Sequence, residues 1–149
     1  AEAATALEEM FLAAQNEGIE LFAVSGYRSY ERQEVVFDAE VATNGQEAAA
    51  EAVAYPGTSE HQTGLAMDIS SRSVGLNLTQ EYENTIEGQW LAANAHLYGF
   101  ILRYPKGKEE ITGYKFEPWH FRYVGKAYAG KIYEENLTLE EFFDIVKEI

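Results

Sequence analysis

The chain has no cysteine. Thiolate metal sites, disulfides and cysteine nucleophiles are excluded together, so a metal here would be held by histidine and carboxylate. Basic residues are scarce: 11 lysines and arginines stand against 25 acidic residues, for a formal net charge of -14. A field of that sign repels phosphate backbones, so no nucleic-acid partner is expected, and an anionic ligand would need cations placed locally. No apolar run approaches the roughly 18 residues that span a bilayer, so this domain is expected to make no membrane contact of its own. The opening AEAATALEEM has no basic segment followed by an apolar one and does not read as a secretory leader. It begins almost directly in a helical pattern, as a piece trimmed from a longer protein would.

What is present is a folded composition. Of the 149 residues, 46% are hydrophobic and 13% aromatic, with ten tyrosines and eight phenylalanines, which suits one domain over 1–149 with an ordinary core. Leu7, Met10, Phe11 and Ala14 fall at helical spacing and predict a helix over 3–16, stopped by Gly18. Residues 19–24 read as a buried strand. Ser29 caps a second helix to about residue 41, broken at Asn44-Gly45, and the alanine-rich 46–54 segment reads as a short helix. A strand is expected over 65–69, then an aperiodic polar stretch, 70–85, read as a surface loop able to edge a cleft. A helix over 88–98, stopped by Gly99, leads to a strand over 100–104. Lys106-Gly107-Lys108 reads as a turn. A last strand covers 119–124, and Thr138 with Glu141 forms a capping box before Leu139, Phe142, Phe143 and Val146 at helical spacing. Helices and short strands mix without βαβ alternation, so the class is α+β.

The chemistry gathers in two stretches. GTSEHQTGLAMDI places His61 in a glycine-flanked polar segment and Asp68 inside an apolar run. A carboxylate there is costly unless it is paired, hydrogen-bonded or metal-bound. In KFEPWHFRYVG, Pro118 keeps Glu117 out of the helical region, so Glu117 and His120 sit in a bend entering a strand. Strand period puts His120 opposite Trp119 and Phe121, and Asp68 opposite Met67 and Ile69. Two histidines and one carboxylate make the ligand count of a catalytic zinc site. A further carboxylate not bound to the metal is then needed to move protons, for which Glu117 is the candidate. Spacing alone leaves this reading level with the plainer one, in which the histidines are structural.

SEHQTGLAMD and EPWH, with SGYRS upstream, resemble the VanY-type D-alanyl-D-alanine carboxypeptidases, a group that includes the LdcB-type L,D-carboxypeptidases. The likeness runs from about residue 24 to 124. It implies a single domain with a small, mainly antiparallel sheet and flanking helices, the fold shared with the D,D-dipeptidases and the hedgehog signalling domain. It implies one zinc ion held by His61, Asp68 and His120, with Glu117 as catalytic base and Arg28 near the scissile carbonyl. Ser59, Gln33 and Arg28 are candidates to bind a terminal carboxylate, and Tyr114 and Trp119 to wall the cleft. His96, Asp38, Glu60 and the glutamate-rich tail are given no part, Glu60 being no ligand in the family. The implied reaction is removal of a terminal D-alanine from peptidoglycan stem peptides, D,D in a pentapeptide or, as the alternative, L,D in a tetrapeptide. A zinc-stabilised binding module and an endopeptidase are the readings from other classes. The implied setting is a monomer outside the cytoplasm, in the envelope or secreted.

Overall fold

Two strands from opposite halves of the chain, β2 (Ala66–Ser70) and β4 (His120–Tyr123), lie side by side in the middle of a four-stranded sheet. Outside them run β1 (Phe22–Ser25) and β3 (Phe100–Leu102), giving the order β1-β2-β4-β3 with every pairing antiparallel. The computed structural model describes residues 2–26, 29–47, 49, 54 and 59–147. Arg28, Pro56, Gly57 and much of the 46–54 segment lie outside the described residues.

Register decides which side chains share a face. Met67 pairs with Phe121 and Asp68 with His120. Directly opposed residues of an antiparallel pair point the same way, so the apolar and polar members segregate. Met67, Ile69 and Phe121 join a core with Met10, Ala14, Leu91 and Phe100. The helix α1 (Glu2–Asn16) supplies that core because Ala6, Met10 and Ala14 recur every four residues. The indole Nε1 of Trp90 donates to Glu17 Oε2 at 2.8 Å and ties the end of α1 to the α3 helix (Ile86–Asn94).

The helix over α2 (Tyr30–Asn44) begins as expected: the Ser29 hydroxyl accepts from the Arg32 backbone N–H, and Gly45 ends it at φ +87°. The expected helix at 88–98 is two pieces, α3 followed by a 3-10 turn over Ala95–Tyr98. Gly88 is required there, since a Cβ would lie 1.9 Å from the Tyr82 carbonyl oxygen. The aperiodic 70–85 stretch is more than a surface loop. It holds 3-10 turns over Arg72–Val74 and Gln80–Asn84, and Tyr82 within it is wholly buried. Its hydroxyl meets Ser71 Oγ at 2.9 Å, and Ser71 Oγ donates to the Glu20 carbonyl. Turns of three to five residues carry no amphipathic period, so a single aromatic anchor escapes a periodicity reading.

The C-terminal third adds a short α4 (Glu109–Thr112), α5 (Lys126–Glu134) and α6 (Leu139–Lys147). Ala129 and Ile132 from α5 and Leu139 and Phe142 from α6 close over Ile101 of β3 as a second, smaller core. The capping box is formed: Glu141 N–H donates to Thr138 Oγ1 at 3.0 Å and Thr138 N–H to Glu141 Oε1 at 2.9 Å.

Candidate active site

Three pieces of chain deliver the polar cluster. A single 3-10 turn, Glu60–Thr63, carries His61, with Ser59 as its cap through a bond from the His61 N–H to Ser59 Oγ at 3.2 Å. Gly64 leaves that turn at φ +74°, a left-handed conformation that suits glycine. β2 then presents Asp68, and β4 presents His120 directly opposite. Glu117 stands in the bend before β4, where its N–H donates to the Tyr104 carbonyl. The irregular pairing of β1 between Ala23 and Ser25 falls beside Asp68 and sets Gly26 against the cluster.

His61, Asp68 and His120 are each under 5% exposed, and one donor atom from each lies within 4.8 Å of the others. His61 Nε2 is 3.2 Å from Asp68 Oδ2, and His120 Nδ1 is 3.0 Å from Asp68 Oδ1. An ion with bonds of about 2.1 Å sets tetrahedral ligands roughly 3.4 Å apart, close to each histidine's spacing from its own Asp68 oxygen, so this donor set could draw together on zinc. The outward nitrogens are also satisfied. His61 Nδ1 donates to the Gly26 carbonyl at 2.6 Å, and His120 Nε2 faces Glu60 Oε1 at 3.0 Å. Glu117 Oε1 lies 3.9 Å from His120 Nδ1, beside the donor set.

Charge is balanced locally. Burial opposes ionisation of Asp68, but hydrogen bonds from His120 and His61 outweigh it and hold the carboxyl down at about 2. Burial likewise opposes a charge on Glu60, and His120 and Arg103 outweigh it, again to about 2. On His120 burial favours the neutral ring, yet the bonds to Asp68 and Glu60 win and push the imidazole up to about 9. Tyr104 lies over the His120 ring, 4.9 Å between centroids, and burial raises its hydroxyl pKa well above the ordinary value.

These groups line a cavity of about 330 Å³, with Gln33, Ser59, Tyr114, Lys115 and Trp119 on its walls. A family model described as VanY, D-alanyl-D-alanine carboxypeptidase, matches residues 1–126. The chain belongs to the VanY family. It is 62% identical over 148 residues to "Putative carboxypeptidase YodJ" of Bacillus subtilis (strain 168), covering 99% of this chain and 54% of that protein. The chain thus spans about half the length of the curated relatives it matches. Among solved structures, the LdcB LD-carboxypeptidase superposes with a TM-score of 0.90 at 62% identity, over 96% of this chain and 67% of that one. The vancomycin-resistance D,D-pentapeptidase VanY, solved with Zn(II), gives a TM-score of 0.83 at 41% identity, over 95% and 81%.

In this VanY-family chain the residues singled out from sequence come together, except Arg28, which lies outside the described residues. Gln33 is 1% exposed and its Nε2 donates to the Ala54 carbonyl at 2.6 Å. Ser59 is buried at the cavity wall, and Trp119 serves both the wall and the core. His96 stays apart, stacked on Tyr133 at 3.7 Å. The tail is less detached than its composition suggests, since Glu140 pairs with Arg103 and Glu141 with Lys108. Missed from sequence were Glu60, Tyr104, Lys115 and the arginines 103 and 122. Arg122 had a signal, two residues beyond His120 on the same strand face; for Arg103 the nearest signal was its place at the end of β3.

Proposed function

We propose that residues 1–149 form a single zinc-dependent carboxypeptidase domain that removes the terminal D-alanine from peptidoglycan stem peptides. The observation that carries this reading is the buried His61, Asp68 and His120 donor set with Glu117 beside it, at the floor of a cavity sized for a peptide end. Zinc bound there would supply Lewis-acid polarisation of the scissile carbonyl and acidify a nearby water. Glu117 takes the proton from that water as its oxygen bonds to the carbonyl carbon. The C–N bond then breaks, and Glu117 returns the proton to the departing amine. Arg28 is assigned to the oxyanion. Ser59 and Gln33, with Arg28, are assigned to the terminal carboxylate, for which charge-assisted bonds are worth about 1.5 to 3 kcal/mol each. Tyr114 and Trp119 wall the site.

The D,D bond of the pentapeptide is the main reading, supported by the family and by the D,D-pentapeptidase neighbour. The L,D bond of the tetrapeptide is the second, and the higher identity to the LD-carboxypeptidase favours it. The setting is the cell envelope or the exterior, with the domain acting as a monomer; among the described residues no helix is long and apolar enough to cross a membrane. Mass spectrometry of penta- and tetrapeptide stems, digested with and without zinc, tests the proposal. Zinc-dependent loss of one alanine from the pentapeptide is the expected result. Loss from the tetrapeptide alone moves the substrate to the L,D reading. No loss from either by zinc-loaded protein sinks the exopeptidase.

A further inference from the structure

Glu60 sits next to His61 in sequence, yet its carboxylate serves the other histidine. Its side chain is 10% exposed, and both oxygens are committed. Oε1 faces His120 Nε2 at 3.0 Å, while Oε2 accepts from Arg103 Nε and Arg122 Nη1, each at 2.7 Å. Arg103 uses its two terminal nitrogens on Glu140 of α6, donating to Oε1 at 2.7 Å and Oε2 at 2.9 Å. An unbroken line of charge therefore runs from a residue of the donor set to α6, which lies beyond the 1–126 span that the family model matches.

We propose that Glu60 is a positioning residue of the metal centre: it holds the Nε2–H of His120, so that Nδ1 is the nitrogen presented to the metal, and Arg103 with Glu140 of α6 anchors it there. This rests on the zinc-site reading above and extends it to residues that touch neither metal nor substrate. A ligating imidazole binds through one nitrogen, and the hydrogen bond at the other decides which one and how the ring is turned. The two histidines solve this in opposite ways. At His61 the Gly26 carbonyl takes Nδ1–H and Nε2 points to Asp68; at His120 the Glu60 carboxylate faces Nε2 and Nδ1 points to Asp68. Stacking on Tyr104 sets the plane of the His120 ring but does not choose between its nitrogens. Glu60 does, because a carboxylate clasped by two guanidinium groups can only accept. The anchoring matters as well. A free glutamate has three rotatable bonds, and the two bonds from Arg103 and Arg122 to Glu60, with the two from Arg103 to Glu140, remove that freedom before a metal arrives.

Two measurements test this without substrate, so a failure of the carboxypeptidase reading appears separately, in the digests. In the zinc-loaded ¹⁵N-labelled chain, long-range proton–nitrogen correlation spectra are expected to show His120 protonated at Nε2 and metal-shifted at Nδ1. A proton on Nδ1, or the metal on Nε2, overturns the proposal. In competition with a chromophoric chelator, Glu60→Ala and Glu60→Gln are expected to weaken zinc binding by about 10- to 100-fold, the usual cost of an outer-sphere partner. Glu140→Ala should weaken it by a smaller factor, roughly two- to tenfold, since it acts through Arg103. Glu140 has a side chain one-third exposed, so that variant keeps the test open should Glu60→Ala fail to fold. Zinc affinity within twofold of the parent in all three variants overturns the proposal.

Discussion

Ile69 and His120 lie on adjoining central strands, both under 5% exposed, and unlike forces hold them. Ile69 faces Met10, Leu91 and Phe121, where the stabilisation comes from apolar area removed from water and from close contact. His120 faces Asp68, Glu60 and Tyr104, where each polar atom has a partner and the free energy depends on keeping those partners. On the apolar face volume is what matters, and chemistry can vary among hydrophobes. On the polar face size is no protection: an isosteric change that removes one charge leaves another buried and unpaired. The strand period of two lets a domain of 149 residues set these environments back to back, one peptide apart.

The largest expected effect separates the faces by function. Glu117→Gln should lower the rate of D-alanine release by about 10² to 10⁴-fold while bound zinc, measured by metal analysis, stays near one per chain. A variant that keeps its rate would remove Glu117 from the base role. Phe121→Ala, on the other face, should cost about 3 to 5 kcal/mol in urea unfolding, because it empties a site that is wholly buried. Surviving protein should still bind zinc, since no donor is altered.

A pH titration sharpens the contrast, because only the polar face responds. The folded-state value for His120, about 9, lies above its ordinary 6.5. Its contribution to the metal-free protein is therefore fully present below about 6.5 and is lost as pH rises through 9. Asp68 and Glu60 are depressed to about 2, so theirs is present above about 4 and lost as pH falls through 2. Melting of the metal-free chain should drop by roughly 5 °C between pH 6.5 and 9, and Glu60→Gln should flatten that slope. A melting point level across that range would mean His120 is not held as an imidazolium. The smallest effect is Ile69→Val, expected to cost about 0.5 to 1.5 kcal/mol with no change in the pH slope. A changed slope there would show that the faces are coupled.

Asp68 could be singled out from sequence because a carboxylate amid Leu65, Ala66, Met67 and Ile69 is conspicuous, and strand alternation then assigned it a face. His120 and Glu117 were readable for the same local reason, through Pro118 and the apolar alternation after it. Glu60 was not readable as a partner. The groups that define it lie 43, 60 and 62 residues away, and its place beside His61 does not show that its carboxylate serves His120. Tyr82 was missed for a related reason: a lone anchor in a 3-10 turn leaves no period to detect. The short α5, which buries Ala129 and Ile132, was missed as well.

By itself the sequence determined the α+β class, the caps at Ser29 and Thr138, the absence of thiol chemistry and the residue types available to hold a metal. These follow from propensity, period and composition, which act over a few residues. Tertiary structure alone decided that Asp68 meets His120 in register, which nitrogen of each histidine points inward, and that α6 reaches the site through Arg103. Those outcomes depend on contacts between segments far apart in the chain, where burial turns an ordinary surface pair into a strong one.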